Sequence, residues 1–154
     1  METRTLPEPS PDNAVVWHVG RLYLLDQRHL PGRAELLPLA NAEATARAIT
    51  DMVVRGAPAI GITAAYGVVL AARERYAERG SGWRSAMAPD LAALAASRPT
   101  AVNLFWALER MSEAMERIGD GDPVPVLLAA ARDIHAEDRA GNLRMGQLGA
   151  ALVS

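Results

Sequence analysis

The sequence predicts an α+β fold, a small antiparallel β-sheet followed by a mainly helical bundle. Three observations predict it. Short apolar runs separated by turn residues fill residues 13–40. At Asn41 the apolar spacing changes to that of a helix. From Gly56 to Ala72 the chain then runs 17 residues without a charge, which is too long for a strand and reads as a helix buried on every side. The predicted organisation is a loose tail over 1–12, a small sheet over 13–40 and helices over 41–154.

The elements follow in order. Residues 1–12 hold three prolines and no apolar period. Ala14 to Val19 and Leu22 to Leu25 read as two strands joined through a hairpin turn at Gly20-Arg21. Glu35 to Leu39 reads as a third strand after the turn Pro31-Gly32. Asn41 can cap a helix reaching about Val53, with Ala44, Ala48 and Met52 at four-residue spacing. A second helix opens at Pro58 and runs to about Arg79, where Gly80-Ser81-Gly82 ends it. Its Gly61, Ala64, Ala65 and Gly67 would let neighbouring backbones come close. Further helices are expected over Trp83 to Ala96, Pro99 to Ile118, and from about Pro125 onward. Met145 to Ser154 carries no charge and no cap, the pattern of a helix that continues in a longer protein or is covered by a partner.

Composition narrows the function classes. The chain has 154 residues, half of them apolar and 22% charged, which is globular composition suited to one domain or one and a half. All 16 basic residues are arginine, scattered along a chain of net charge −2, so no footprint of a nucleic-acid binder is present. Without lysine the chain has no Schiff-base chemistry and no P-loop lysine. Without cysteine it has no disulfide, zinc thiolate or cysteine nucleophile. The uncharged stretch is shorter than the roughly 20 residues of a membrane span and contains Pro58, Gly61 and Gly67. No secretory pattern opens the sequence, so a cytoplasmic protein without membrane attachment is expected.

Two segments share one design. In Arg55-Gly56-Ala57-Pro58 and in Ser97-Arg98-Pro99-Thr100, an arginine precedes a proline placed to open an apolar helix. The first N–H groups of a helix are free and carry the positive end of its dipole. A planar arginine beside them makes a site suited to phosphate. Gly56 permits a tight or left-handed backbone there. An arginine so placed also serves to cap a neighbouring helix or to pair with a surface carboxylate, and the local pattern leaves both roles open.

The wording of these segments goes further. Val54-Arg55-Gly56-Ala57-Pro58-Ala59-Ile60-Gly61, followed by Ala64-Ala65-Tyr66-Gly67, resembles the signature of methylthioribose-1-phosphate isomerases. Ser97-Arg98-Pro99-Thr100-Ala101-Val102-Asn103-Leu104 resembles that family's second signature. Leu24-Leu25-Asp26-Gln27 with Leu30-Pro31, and His135 to Gly149 with Asp138, Asn142, Gly146 and Gly149, add to the likeness, which extends from about residue 13 to the end. The family is related to the regulatory subunits of translation initiation factor 2B.

The resemblance implies conversion of 5-methylthioribose 1-phosphate to 5-methylthioribulose 1-phosphate, an aldose-to-ketose step of methionine salvage, without cofactor or metal. It implies substrate binding by Arg55, Gly56, Ala57 and Arg98. It also implies a Rossmann-like C-terminal domain, absent from this chain, that carries a catalytic cysteine shortly after residue 154 and a catalytic aspartate. The expected partners are that domain, a second copy in a homodimer and a small sugar phosphate. No catalytic residue is expected among the 154, so the chain by itself would be inactive. Two neighbouring readings are a ribose-1,5-bisphosphate isomerase and a non-catalytic regulatory module like the initiation-factor subunits.

Other polar residues read as structural. His18, His29 and His135 lie far apart, and His135 with Asp138 at i, i+3 is too few ligands for a metal site. Asp26 reads as a turn or inter-domain residue. Asn103 and Asn142 read as buried amides that need partners. Trp17 and Trp106 read as core residues.

Overall fold

The computed structural model describes residues 14–29, 32, 35–54, 56–119 and 121–137. The tail over 1–12, Arg55, Asp138, Asn142 and the uncharged stretch from Met145 lie outside the described residues.

The chain begins with a meander of three strands, β1 (Val15–His18), β2 (Arg21–Leu25) and β3 (Leu36–Leu39), antiparallel and in the order β1-β2-β3. Val15 faces Leu24 and Trp17 faces Leu22 across β1–β2; Leu37 and Leu39 face the same two leucines from β3. Directly opposed residues share a sheet face. Val15, Trp17, Leu22, Leu24, Leu37 and Leu39 therefore form the side that packs on the core. The hairpin turn is Val19-Gly20, one residue earlier than expected, and Arg21 is already paired with His18. Both turn residues have positive φ (50° and 72°), as the two-residue turn that matches strand twist requires. Pro38 lies on the outer face of the edge strand β3, opposite Tyr23.

Helix α1 (Ala42–Thr50) has the predicted cap: the Asn41 side-chain oxygen accepts the Ala44 N–H at 2.8 Å. It stops at Thr50, three residues short of expectation. Met52 takes φ 62°; its N–H goes to Ile49 O and that of Val53 to Ala48 O. This is a Schellman ending with methionine where glycine is usual, so the sequence carried no stop signal. Helix α2 (Ala57–Arg79) is the central element and packs against α1, α3, α4, α5 and β1. Every residue from Ile60 to Ala72 is buried, as its uncharged stretch predicted.

The helix expected over Trp83 to Ala96 is two, α3 (Trp83–Ala86) and α4 (Ala88–Ser97), with Met87 between them. Pro89, in the first turn of α4, cannot donate to a preceding turn and so breaks the run. Helix α5 (Val102–Glu116) begins three residues later than expected. Residues 124–137 form the last helix, α6; Asp122 receives the Val124 N–H at 3.0 Å just before it.

Trp83, fully buried, is a core tryptophan that the sequence reading passed over; Trp106 is 48% exposed and is not one. On α5 the buried residues are Leu104, Ala107, Leu108, Met111, Ala114 and Met115, a stripe at helical spacing that leaves position 106 outside. Trp17 is half-buried and stacks on Tyr66 of α2. No helix of the described residues is long and apolar enough to cross a membrane.

Candidate functional site

The first signature folds into the corner between α1 and α2. Val53 and Val54 are buried and anchor the approach to it. Gly56 is the N-cap of α2 with φ 94° and ψ 130°, a backbone that side-chain-bearing residues rarely adopt. Among the described residues no side chain caps this helix start. Gly56, Ala57 and Pro58 are exposed, so the N–H groups of the first turn open towards solvent. The expectation of a free, positive helix end behind Gly56 is met, with α2 starting at Ala57 rather than Pro58.

The second signature does not repeat this design. Arg98 is the C-cap of α4, with φ −145° and ψ 82°, and its carbonyl accepts the Ala101 N–H at 2.9 Å. Pro99 and Thr100 make a turn outside α5, whose N-cap is Ala101. A residue before proline is driven to extended backbone, which ends α4 at this point. The helix-opening role expected of Pro99 is therefore wrong. What remains is a half-buried arginine between the end of one helix and the start of the next, and it makes no ion pair among the described residues.

Three contacts bring the motifs together. The Thr50 hydroxyl at the end of α1 donates to Ser97 O, beside Arg98, at 3.1 Å. Gly61, in the second turn of α2, lies so close to α5 that a Cβ there would stand 2.8 Å from Asn103 O. The Gln27 N–H donates to Val53 O at 2.8 Å, joining the end of the sheet to the approach to Gly56. Asp26 makes the turn that carries Gln27. Its carboxylate accepts the Arg28 N–H at 3.0 Å and the guanidinium through Nε (2.9 Å) and Nη2 (2.8 Å). Its hydrogen bond to Arg28, with the nearby charges of Asp26 itself and Asp51, raises the guanidinium above its ordinary pKa.

Beside this junction lies a cavity of about 250 Å³, lined by Pro58, Gly61, Ile62, Asn103, Trp106, Ile134 and Glu137. Asn103 is half-buried at its wall, and no described residue bonds its amide, so the structural hydrogen bonds expected of it are absent among the described residues. At the rim Arg110 lies 5.0 Å from the Trp106 ring centre and pairs with Glu137 at 2.7 Å. That pairing holds the Glu137 carboxyl below its ordinary pKa. No group of three or more His, Asp or Glu able to hold a metal occurs among the described residues.

One cluster went unread in the sequence. Tyr66 stacks on Trp17 (5.5 Å, 14°), meets His135 edge-on and shares a 2.9 Å hydrogen bond with its Nδ1. Burial pushes the Tyr66 hydroxyl up to about 12, against the field of Arg132. The available signal was a tyrosine inside a wholly apolar helix, whose hydroxyl must find a partner.

A helix start without a capping side chain at Gly56 and the half-buried Arg98 lie on segments that meet beside a partly apolar cavity, in an α+β fold. Residues 53–154 match the Initiation factor 2 subunit family, and the chain belongs to that family. It is similar to the methylthioribose-1-phosphate isomerase of Methylococcus capsulatus, with 60% identity over 140 residues, 91% of this chain and 40% of that protein. The enzyme of the same name from Pseudomonas aeruginosa is 56% identical over 91% of this chain and 39% of its own length. Among solved structures, 5-methylthioribose 1-phosphate isomerase from Pyrococcus horikoshii OT3 superposes with a TM-score of 0.81 at 34% identity, covering 95% of this chain and 40% of that one. The delta subunit of translation initiation factor eIF-2B from A. fulgidus superposes with a TM-score of 0.79 at 37% identity, covering 90% and 41%. The chain thus spans about 40% of the length of the relatives it matches.

Proposed function

We propose that this chain is the N-terminal, phosphate-gripping part of a methylthioribose-1-phosphate isomerase. The observation that carries the reading is the junction of the two arginine segments, in a chain 60% identical to a protein of that name. The substrate is a sugar phosphate. A dianionic group suits free helix N–H groups and a guanidinium, that of Arg98, which pairs with no carboxylate among the described residues. In this reading Arg55, Gly56 and Ala57 take the phosphate from the α2 side and Arg98 from the α4–α5 turn. Moving hydrogen between adjacent sugar carbons needs a positioned acid and base, which the remaining part of the relatives' length would supply. The second reading, a regulatory module, is favoured by the likeness to the eIF-2B delta subunit.

The test is reconstitution. Residues 1–154 alone are expected to turn over no 5-methylthioribose 1-phosphate. Turnover is expected when the part of the Methylococcus relative outside the aligned stretch is added as a second polypeptide. Arg98→Ala should then lower kcat/KM by roughly 10- to 150-fold, the worth of one charge-assisted hydrogen bond. Arg98→Lys should restore part of it, because lysine lacks the planar fork. Wild-type kcat/KM in a folded Arg98→Ala protein would make Arg98 structural. Tight binding of a protein partner with no turnover by the mixture would favour the regulatory module.

A further inference from the structure

We propose that Asp26 is a positioning residue for the backbone from Val53 to the Gly56 N-cap, setting the helix start at which the phosphate is bound. The inference rests on the anion-site reading above and adds to it a residue that touches no ligand. Asp26 is 2% exposed, and a buried carboxylate is costly unless it is fully bonded. An asparagine or serine would close the same turn without placing a charge there. The charge does something a neutral residue could not: it binds both prongs of Arg28 and fixes the three-residue helical turn Gln27–His29. That turn aims the Gln27 N–H at Val53 O.

Val53 is the third residue before Gly56. Among the described residues, further hydrogen bonds at this stretch come from α1 itself, through Asp51, Met52 and Val53 N–H groups. Those bonds end α1 but do not tie the corner to another part of the molecule. The Gln27 bond does so, from the sheet side, as the Thr50–Ser97 bond does from the α4 side. With Met52 at φ 62° and Gly56 at φ 94° on either side, the stretch has two unusual backbone turns that an outside tether must hold in register.

A double-variant cycle tests this on the 154-residue chain. The readouts are affinity for 5-methylthioribose 1-phosphate, melting temperature and hydrogen exchange of the Val53, Val54 and Gly56 amides. Gly56→Ala, which puts a Cβ on a backbone at φ 94° and so disturbs the same helix start, is expected to weaken binding about 10- to 150-fold. Asp26→Asn is expected to weaken it about 5- to 20-fold and to speed exchange at those amides, with the rest of the fold protected. Residues that act through one another are non-additive. The double variant should therefore bind within about twofold of Gly56→Ala alone. Losses that multiply, or a folded Asp26→Asn protein with wild-type affinity, would overturn the role of Asp26. Should Asp26→Asn fail to fold, Arg28→Gln keeps the carboxylate and its backbone bond and must show the same non-additive loss. Wild-type affinity in Gly56→Ala would instead sink the anion-site reading, which separates the two failures.

Discussion

Val19 holds a left-handed backbone (φ 50°) that its branched side chain resists, and that side chain lies 56% exposed with little packing to compensate. Left-handed backbone costs a residue with a Cβ roughly 1–2 kcal/mol, and asparagine tolerates it best at this place in a hairpin. Val19→Asn should therefore stabilise the chain by about 1 kcal/mol, read as a higher urea midpoint at unchanged slope. Tyr66 makes the complementary case in pH. Its folded pKa of about 12 lies above the ordinary 10.0, so the fold favours the neutral phenol. That stability is whole below pH 10 and is lost as pH rises from 10 to 12. The chain has no lysine or cysteine but has two further tyrosines, so the Tyr66→Phe difference isolates this residue: the substitution should flatten the loss in a series of melts across the window. At this scale the sequence was informative where chemistry is local. Asn41 was readable as a cap and Gly56 as a special backbone. Trp106 and Trp83 were not separable by residue type, because which tryptophan is buried depends on the stripe that faces α2.

Helix α2 comes so near α5 at Gly61 that an added methyl would press on the Asn103 carbonyl. Gly→Ala inside a helix ordinarily gains up to about 1 kcal/mol, while forcing a group into packed backbone costs about 1–3 kcal/mol. Gly61→Ala should be net destabilising and should lower the melting temperature. Gly67→Ala meets only the Thr45 and Leu94 methyl groups, which can move, and should cost less in the same melt. Element types were legible throughout: strands before residue 40, helices after it, and α2 as the buried one. The boundaries that failed have one cause each. Met52 ended α1 without a glycine, Pro89 split a run that looked continuous, and Pro99, which looked identical to a helix-opening proline, lies outside α5. Pro58 and Pro89 both sit in a first helical turn, whereas Pro99 does not, and nothing in their immediate neighbours distinguishes them.

Over the whole molecule, the two arginine segments lie 43 positions apart in sequence (55 to 98) and could be named from it, but their meeting could not. It depends on Thr50 reaching Ser97 and on the missing side chain of Gly61. The same end of the fold presents Val102, Phe105 and Trp106, which are 77%, 42% and 48% exposed on the first turns of α5. A spacing argument alone places no apolar surface at this end, since it reads Trp106 as interior. The sheet at the other side of the corner has a different property. Proline has no N–H, so within a sheet it is confined to a free edge or a strand end. Pro38 stands in the last strand of a three-strand order, so a strand arriving from another molecule would find one rung of its ladder missing there. Strand-to-strand polymerisation, the standing hazard of any small open sheet, is thereby obstructed along β3.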